Sequence, residues 1–148
     1  MGSDGRVKGV TQKIIIVDDD RATREMLQTA LELEGFEVRQ AVNGLRLVSA
    51  LRVEQPDLIL LDVMMSWIDG FELCRSIKRN DEFRHIPLIF ITAKRGADDL
   101  KKGFDAGCVD YFTKPLDLEK LVERIRSVLI NERCPLLRGA TTNFGQGA

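Results

Sequence analysis

Four apolar runs in this chain each stop at a residue able to do chemistry. Ile14-Ile15-Ile16-Val17 ends at Asp18-Asp19-Asp20, and Leu58-Ile59-Leu60-Leu61 ends at Asp62. Leu88-Ile89-Phe90-Ile91 ends at Thr92, and the weaker run from Val109 to Phe112 leads into Lys114-Pro115. Short apolar runs of this kind read as buried strands. If the strands are parallel, their carboxyl ends share one rim, where open α/β sheets bind ligands. Three carboxylates in one crevice repel each other and call for a cation. Oxygen-only ligation suits Mg²⁺, which takes one or two carboxylates plus a phosphate and keeps several waters. A lysine and a hydroxyl beside that ion would hold further phosphoryl oxygens. The chemistry implied is Mg²⁺-dependent phosphoryl transfer onto a carboxylate.

Each residue also has a plainer reading. Asp18-Asp19-Asp20 fits a helix N-cap with acidic first-turn residues, and Asp20 suits that part. Asp62 alone reads as a loop acid, Thr92 as a strand-end residue, and Lys114 as a solvated surface lysine. The plain readings need all four to reach one rim by chance, which favours a site.

The elements that must position these groups alternate. A helix is expected over positions 21–34, with apolar residues at Met26, Leu27, Ala30, Leu31 and Leu33 and Gly35 as its stop. A weaker strand follows over 36–42, then a turn at Asn43-Gly44 and a helix over 45–53. After the strand at 58–61, a loop over 64–70 leads to a helix over 71–80 with Leu73, Cys74 and Ile77 inward. A helix over 97–106 is expected to bury Leu100 and Phe104, with Gly107 ending it. The last helix, over 118–130, carries Leu121, Val122, Ile125, Val128 and Leu129. Five strand–helix pairs call for an α/β fold: a flavodoxin-like, doubly wound, five-stranded parallel sheet with helices on both faces. The three most apolar strands belong in the centre, which gives the order 2-1-3-4-5.

Composition bounds the rest. The 148 residues suit one domain, and a 44% hydrophobic fraction supports a real core. With 22 Lys+Arg against 23 Asp+Glu, there is no basic footprint for direct nucleic-acid binding. No apolar run approaches the ~20 residues that cross a bilayer, so membrane insertion is not expected. Cys74, Cys108 and Cys134 are scattered, which fits a reducing cytoplasm rather than a disulfide framework. The single histidine, His85, reads as a loop residue. Positions 1–11 read as a disordered leader or expression remnant, 12–131 as the folded domain, and 132–148 as a tail or truncated linker.

These segments resemble the receiver domain of two-component response regulators. The resemblance rests on Val17-Asp18-Asp19-Asp20, Leu60-Leu61-Asp62-Val63-Met64-Met65, Ile91-Thr92-Ala93, Asp110-Tyr111-Phe112-Thr113-Lys114-Pro115 and Asp69-Gly70-Phe71-Glu72-Leu73. It implies that Asp62 is the phosphoacceptor, attacking a phosphohistidine on a histidine kinase or phosphotransfer protein. It implies Mg²⁺ bound by Asp19, Asp62 and the main-chain carbonyl of Met64, with Asp18 acting mainly through water. Lys114 would pair with a phosphoryl oxygen, and its bond to Pro115 would be cis. Thr92 would hydrogen-bond another oxygen, Tyr111 would turn into the vacated space, and the α4-β5-α5 face would change for a downstream effector. Such a domain is a phosphoacceptor with self-catalysed transfer and autodephosphorylation rather than a turnover enzyme.

The family commonly has a proline where this chain has Ser66, followed by Trp67. Trp67 would either cover the loop or meet a partner. Met64 and Lys94 occupy positions that tune phosphate lifetime in the family. A methionine orients water poorly, so a long-lived phospho-state is expected. Lys101, Lys102, Glu119, Glu123, Arg124 and Arg126 can pair across a phosphorylation-dependent homodimer or simply be solvated.

Three other classes compete. An aspartyl-phosphate phosphatase or phosphotransferase usually wants a second Asp two residues after the nucleophile, where this chain has Met64. A flavodoxin-like nucleotide binder needs a Ser/Thr/Gly phosphate loop where this chain is acidic, and no P-loop is present. A pseudo-receiver serving only as an interaction module would not need the intact acidic pair, Asp62, Thr92 and Lys114.

Overall fold

A computed structural model describes residues 11–65 and 67–133 of the chain. The expected leader, Ser66, Cys134 and most of the expected tail lie outside the described residues. The chain divides into two compact units, Met1–Leu116 and Asp117–Ala148.

The first unit alternates strands and helices: β1 (Lys13–Val17), α1 (Arg21–Leu33), β2 (Glu37–Ala41), α2 (Gly44–Val53), β3 (Leu58–Leu61), α3 (Gly70–Arg79), β4 (Leu88–Thr92), α4 (Ala97–Ala106) and β5 (Asp110–Thr113). All strand pairs are parallel, and the order is β2-β1-β3-β4-β5. The order follows from burial. Strands β3 and β4 are buried at every position, and β1 at all but Lys13, whereas β2 and β5 carry polar residues and take the edges.

Side chains alternate between the sheet's faces. Ile15, Val17, Ile59, Leu61, Leu88, Phe90 and Tyr111 share one core with Leu47 and Leu51 of α2, Leu73, Cys74 and Ile77 of α3, and Ala106 of α4. Ile14, Ile16, Leu58, Leu60, Ile89 and Ile91 are buried on the other face, and α1 packs against β1 and β2.

Local chemistry sets the helix ends. Asp20 accepts a hydrogen bond from the Thr23 N–H, and Asp69 from the Phe71 N–H. Asn43, read from sequence as part of a turn, caps α2 by accepting from the Arg46 N–H, and Gly44 is already helical. Gly107 ends α4 in the left-handed region, at φ 111°.

One packing expectation needs correction. Leu100 and Phe104 of α4 are 38% and 48% exposed, while Gly103 and Ala106 face inward. A Cβ on Gly103 would stand 2.8 Å from the Tyr111 ring, so a small residue is what lets the helix approach. On α1, Leu27 and Leu31 are buried, but Met26 and Leu33 are exposed and Arg24 takes an inward position. His85 is exposed in a turn, as expected.

The second unit contains α5 (Leu118–Arg133), three residues longer than expected. Asp117 caps its first turn by accepting from the Lys120 N–H at 3.2 Å. Leu121, Ile125, Val128 and Leu129 are its buried stripe.

Candidate acidic phosphoryl site

Strand register brings the acids together. Val17 pairs with Leu61, so the next residues, Asp18 and Asp62, leave the sheet side by side. The Asp62 N–H still donates to the Val17 carbonyl at 3.0 Å, which extends the ladder to the site itself. Thr92 pairs with Thr113 on the other side, and the Lys114 N–H donates to the Thr92 carbonyl at 2.8 Å. All the strand-end residues singled out from the sequence therefore lie on one rim.

Asp18, Asp19 and Asp62 each offer a carboxylate oxygen, and these oxygens lie within 4.8 Å of one another. Asp18 is fully buried, Asp62 is 5% exposed and Asp19 is exposed. Lys114 Nζ lies 2.8 Å from Asp18 Oδ2 and 3.2 Å from Asp62 Oδ2. The remaining Asp18 oxygen accepts from the Asp20 N–H at 2.9 Å, and the remaining Asp62 oxygen from the Met64 N–H at 3.0 Å. Two of the three carboxylates thus contact the Lys114 ammonium, and among the described residues the cluster offers only carboxylate oxygens. This donor set fits a hard divalent cation.

The charges perturb each other. Burial pushes the Asp18 carboxyl above the ordinary carboxylate value, against the pull of Lys114 and the Asp20 N–H. Burial pulls the Lys114 ammonium down, but its hydrogen bond to Asp18 and the charges of Asp62 and Asp18 outweigh that. The net result is a lysine more basic than usual and fully charged at neutral pH. The Lys114-Pro115 peptide is cis, as expected.

Thr92 is fully buried, and its Oγ1 accepts from the Lys94 N–H at 3.3 Å. The Tyr111 hydroxyl donates to the Lys94 carbonyl at 2.7 Å. Burial raises the Tyr111 phenol to about 12, so it remains a donor. Thr92, Lys94 and Tyr111 are thus linked through the loop between β4 and α4. Met64 is half-exposed beside Asp62. Trp67 is 98% exposed at φ 80° and, with Asn43, Leu45, Val48, Ile68 and Leu73, lines a cavity of about 460 Å³.

Sequence reasoning overlooked three supports. Gly70 lets α3 start against β3, because a Cβ there would stand 2.6 Å from the Asp62 carbonyl oxygen. Arg95 donates from Nη2 to the Lys114 carbonyl. Arg24 donates from Nη1 to the Asp18 carbonyl at 2.8 Å. The available signal for Arg24 was a basic residue three positions before Leu27, on the inward stripe of α1.

The chain resembles known proteins along this whole framework. The response regulator receiver domain pattern matches residues 14–126. The chain is 42% identical over 118 residues to the DNA-binding dual master transcriptional regulator RpaA of Synechocystis, covering 79% of this chain and 48% of RpaA. It is 40% identical over 119 residues to the response regulator PleD of Caulobacter vibrioides, covering 80% of this chain and 26% of PleD. The chain therefore spans about half or less of these curated relatives. A response regulator from Thermotoga maritima superposes with a TM-score of 0.74 at 32% identity, covering 81% of this chain and 98% of that one. The signal receiver domain of a histidine kinase from Syntrophus aciditrophicus gives a TM-score of 0.77 at 32% identity, covering 82% and 92%. Among the described residues, no helix is long and apolar enough to cross a membrane. Sequence pattern, sheet order and relatives agree that the chain belongs to the response regulator receiver domain family of two-component signalling.

Proposed function

We propose that Asp62 accepts a phosphoryl group from a phosphohistidine on a histidine kinase or phosphotransfer protein. The observation that carries this reading is the Lys114 ammonium shared between Asp18 and Asp62 inside the acidic cluster. An Asp62 oxygen attacks phosphorus, the P–N bond breaks, and the imidazole leaves with the bonding pair and takes up a proton. Asp18, Asp19, Asp62 and the Met64 carbonyl would hold Mg²⁺. When bound, Mg²⁺ offsets the negative charge of the carboxylate and the phosphoryl oxygens as they meet. Lys114 pairs with one phosphoryl oxygen. Thr92 gives up its contact with the Lys94 N–H and donates its hydroxyl to another.

Tyr111 then follows the loop it is bonded to, and the surface of α4 and β5 changes for an effector, a partner protein or a second copy. Exposed Leu100 and Phe104 on α4 give that surface apolar content. The half-exposed Met64 orients water poorly and Lys94 is the other lifetime position, so the phospho-state is long-lived. Residues 12–131 act as the receiver unit, in the cytoplasm, as a phosphoacceptor rather than a turnover enzyme.

Acetyl phosphate labelling with Mg²⁺, followed by intact mass, tests the reading. One added phosphoryl group is expected, lost in Asp62→Asn and without Mg²⁺. Labelling that persists in Asp62→Asn would move the acceptor elsewhere.

A further inference from the structure

We propose that Arg24 is a positioning residue for the acidic pair. It orients the peptide between Asp18 and Asp19, and so raises the affinity of the site for a divalent cation. This rests on reading Asp18 and Asp19 as cation ligands.

Arg24 is a buried guanidinium, 8% exposed, on a helix stripe otherwise built from Leu27 and Leu31. A buried charge persists only where hydrogen bonds replace its water. Here Nη1 donates to the Asp18 carbonyl at 2.8 Å and Nε donates to Gln40 Oε1 at 2.9 Å. Gln40 in turn donates from Nε2 to Gln28 Oε1, one helical turn beyond Arg24. The guanidinium is therefore braced from β2 and α1 while it grips the end of β1.

The gripped oxygen belongs to the peptide that joins Asp18 to Asp19. That unit is planar, so holding its oxygen sets the plane from which the Asp19 Cα and side chain depart. Asp18 is separately held by Lys114 and by the Asp20 N–H. Arg24 thus adds a constraint on the Asp19 side of the pair. The rigid fork of arginine serves two acceptors at a fixed angle, which a lysine cannot reproduce.

Two effects of Arg24 oppose each other. Its positive charge repels an incoming cation, so pure electrostatics predicts tighter binding once it is removed. Positioning predicts weaker binding. The anchored geometry and the direction of the fork, toward a carbonyl, make positioning the larger effect.

The test is Mg²⁺ titration calorimetry on the full chain, as wild type, Arg24→Met, Arg24→Lys and Gln40→Leu, with metal-free melting alongside. Arg24→Met and Arg24→Lys should raise the Mg²⁺ Kd about tenfold, the low end for residues that orient metal ligands. Gln40→Leu keeps the charge and removes only the brace, and should raise the Kd by a smaller factor. Saturating Mg²⁺ should restore the acetyl-phosphate labelling rate, and the metal-free melts show whether each variant is folded before Mg²⁺ is added. If Arg24→Met does not fold, Gln40→Leu and Arg24→Lys carry the test. Unchanged or tighter Mg²⁺ binding in folded variants would overturn the proposal. Wild type that binds no Mg²⁺ would instead overturn the reading of the acids as ligands.

Discussion

Lys114 lays its ammonium 2.8 Å from Asp18, a residue 96 positions earlier in the chain, with strands β3 and β4 lying between their own strands in the sheet. The same ammonium lies 3.2 Å from Asp62. It is the cation that holds two buried carboxylates close together in the resting protein. Lys114→Met leaves Asp18 buried without its partner, so metal-free stability should drop by about 1–3 kcal/mol. Urea unfolding with and without Mg²⁺ checks this. Added Mg²⁺ should recover part of the loss, because it supplies the missing positive charge.

Asp18 sets a stability trend with pH. Its pKa is raised above its ordinary 3.8, chiefly by burial. The native state therefore holds this proton to higher pH than the unfolded chain does. Its contribution to stability is fullest below 3.8 and declines as pH rises through the raised folded value. Asp18→Asn should remove that decline. In metal-free buffer at neutral pH the variant should melt above wild type, and Mg²⁺ should raise the melting temperature of wild type more than that of the variant. Melting curves across pH, with chelator and with Mg²⁺, decide it.

Gly70 and Gly44 make a contrasting pair. A Cβ on Gly70 meets main chain, the Asp62 oxygen and Val63 Cα, each at 2.6 Å. Main chain cannot yield cheaply, so Gly70→Ala should cost about 3 kcal/mol and impair phosphoryl acceptance. A Cβ on Gly44 meets only side-chain atoms of Ile68 and Leu73, the nearest at 3.0 Å. Gly44→Ala should cost less than 1 kcal/mol, since a helical alanine gains propensity. Denaturant midpoints of the two variants should separate clearly.

Gly103 and Tyr111 should be energetically coupled. A Cβ at 103 would press the Tyr111 ring at 2.8 Å and Phe90 at 3.3 Å. Gly103→Ala should cost about 1–3 kcal/mol through overpacking, and less in a Tyr111→Val background. A double-mutant cycle measures the difference. Tyr111→Phe, which removes only the bond to the Lys94 carbonyl, should cost about 1 kcal/mol.

The two buried thiols should be inert. Burial raises Cys74 to about 11 and Cys108 to about 12, so almost no thiolate exists at neutral pH. In a Cys134→Ser background, a thiol-alkylating reagent at pH 8 should label neither until denaturant is added. Labelling of the folded protein within minutes would show that the core opens readily.

Much of the framework was legible in the residues alone. A four-residue run of β-branched or leucine residues that stops at polar residues reads as an interior strand, and the polarity of Glu37–Ala41 and Asp110–Thr113 marks edges. The residues that stop the runs, Asp18, Asp62 and Thr92, were visible for the same reason: the hydrophobic pattern breaks where the chain leaves the sheet. Parallel strands then require a common rim.

Other features needed the third dimension. Helical periodicity names a stripe but not which stripe turns inward. On α4 the space left by Tyr111 and Phe90 admits Gly103 and Ala106, so Leu100 and Phe104 turn outward. Arg24 looked like a surface residue because charged side chains usually are. It is buried because its partners, a carbonyl at the end of β1 and a glutamine on β2, come from the strands that α1 packs against. The sequence alone therefore determined the strands, their ends and the acids placed there, since burial pattern and strand polarity are local properties. Only the tertiary structure decided who pairs with whom, because Lys114, Asp18 and Asp62 meet through a register that no local signal contains.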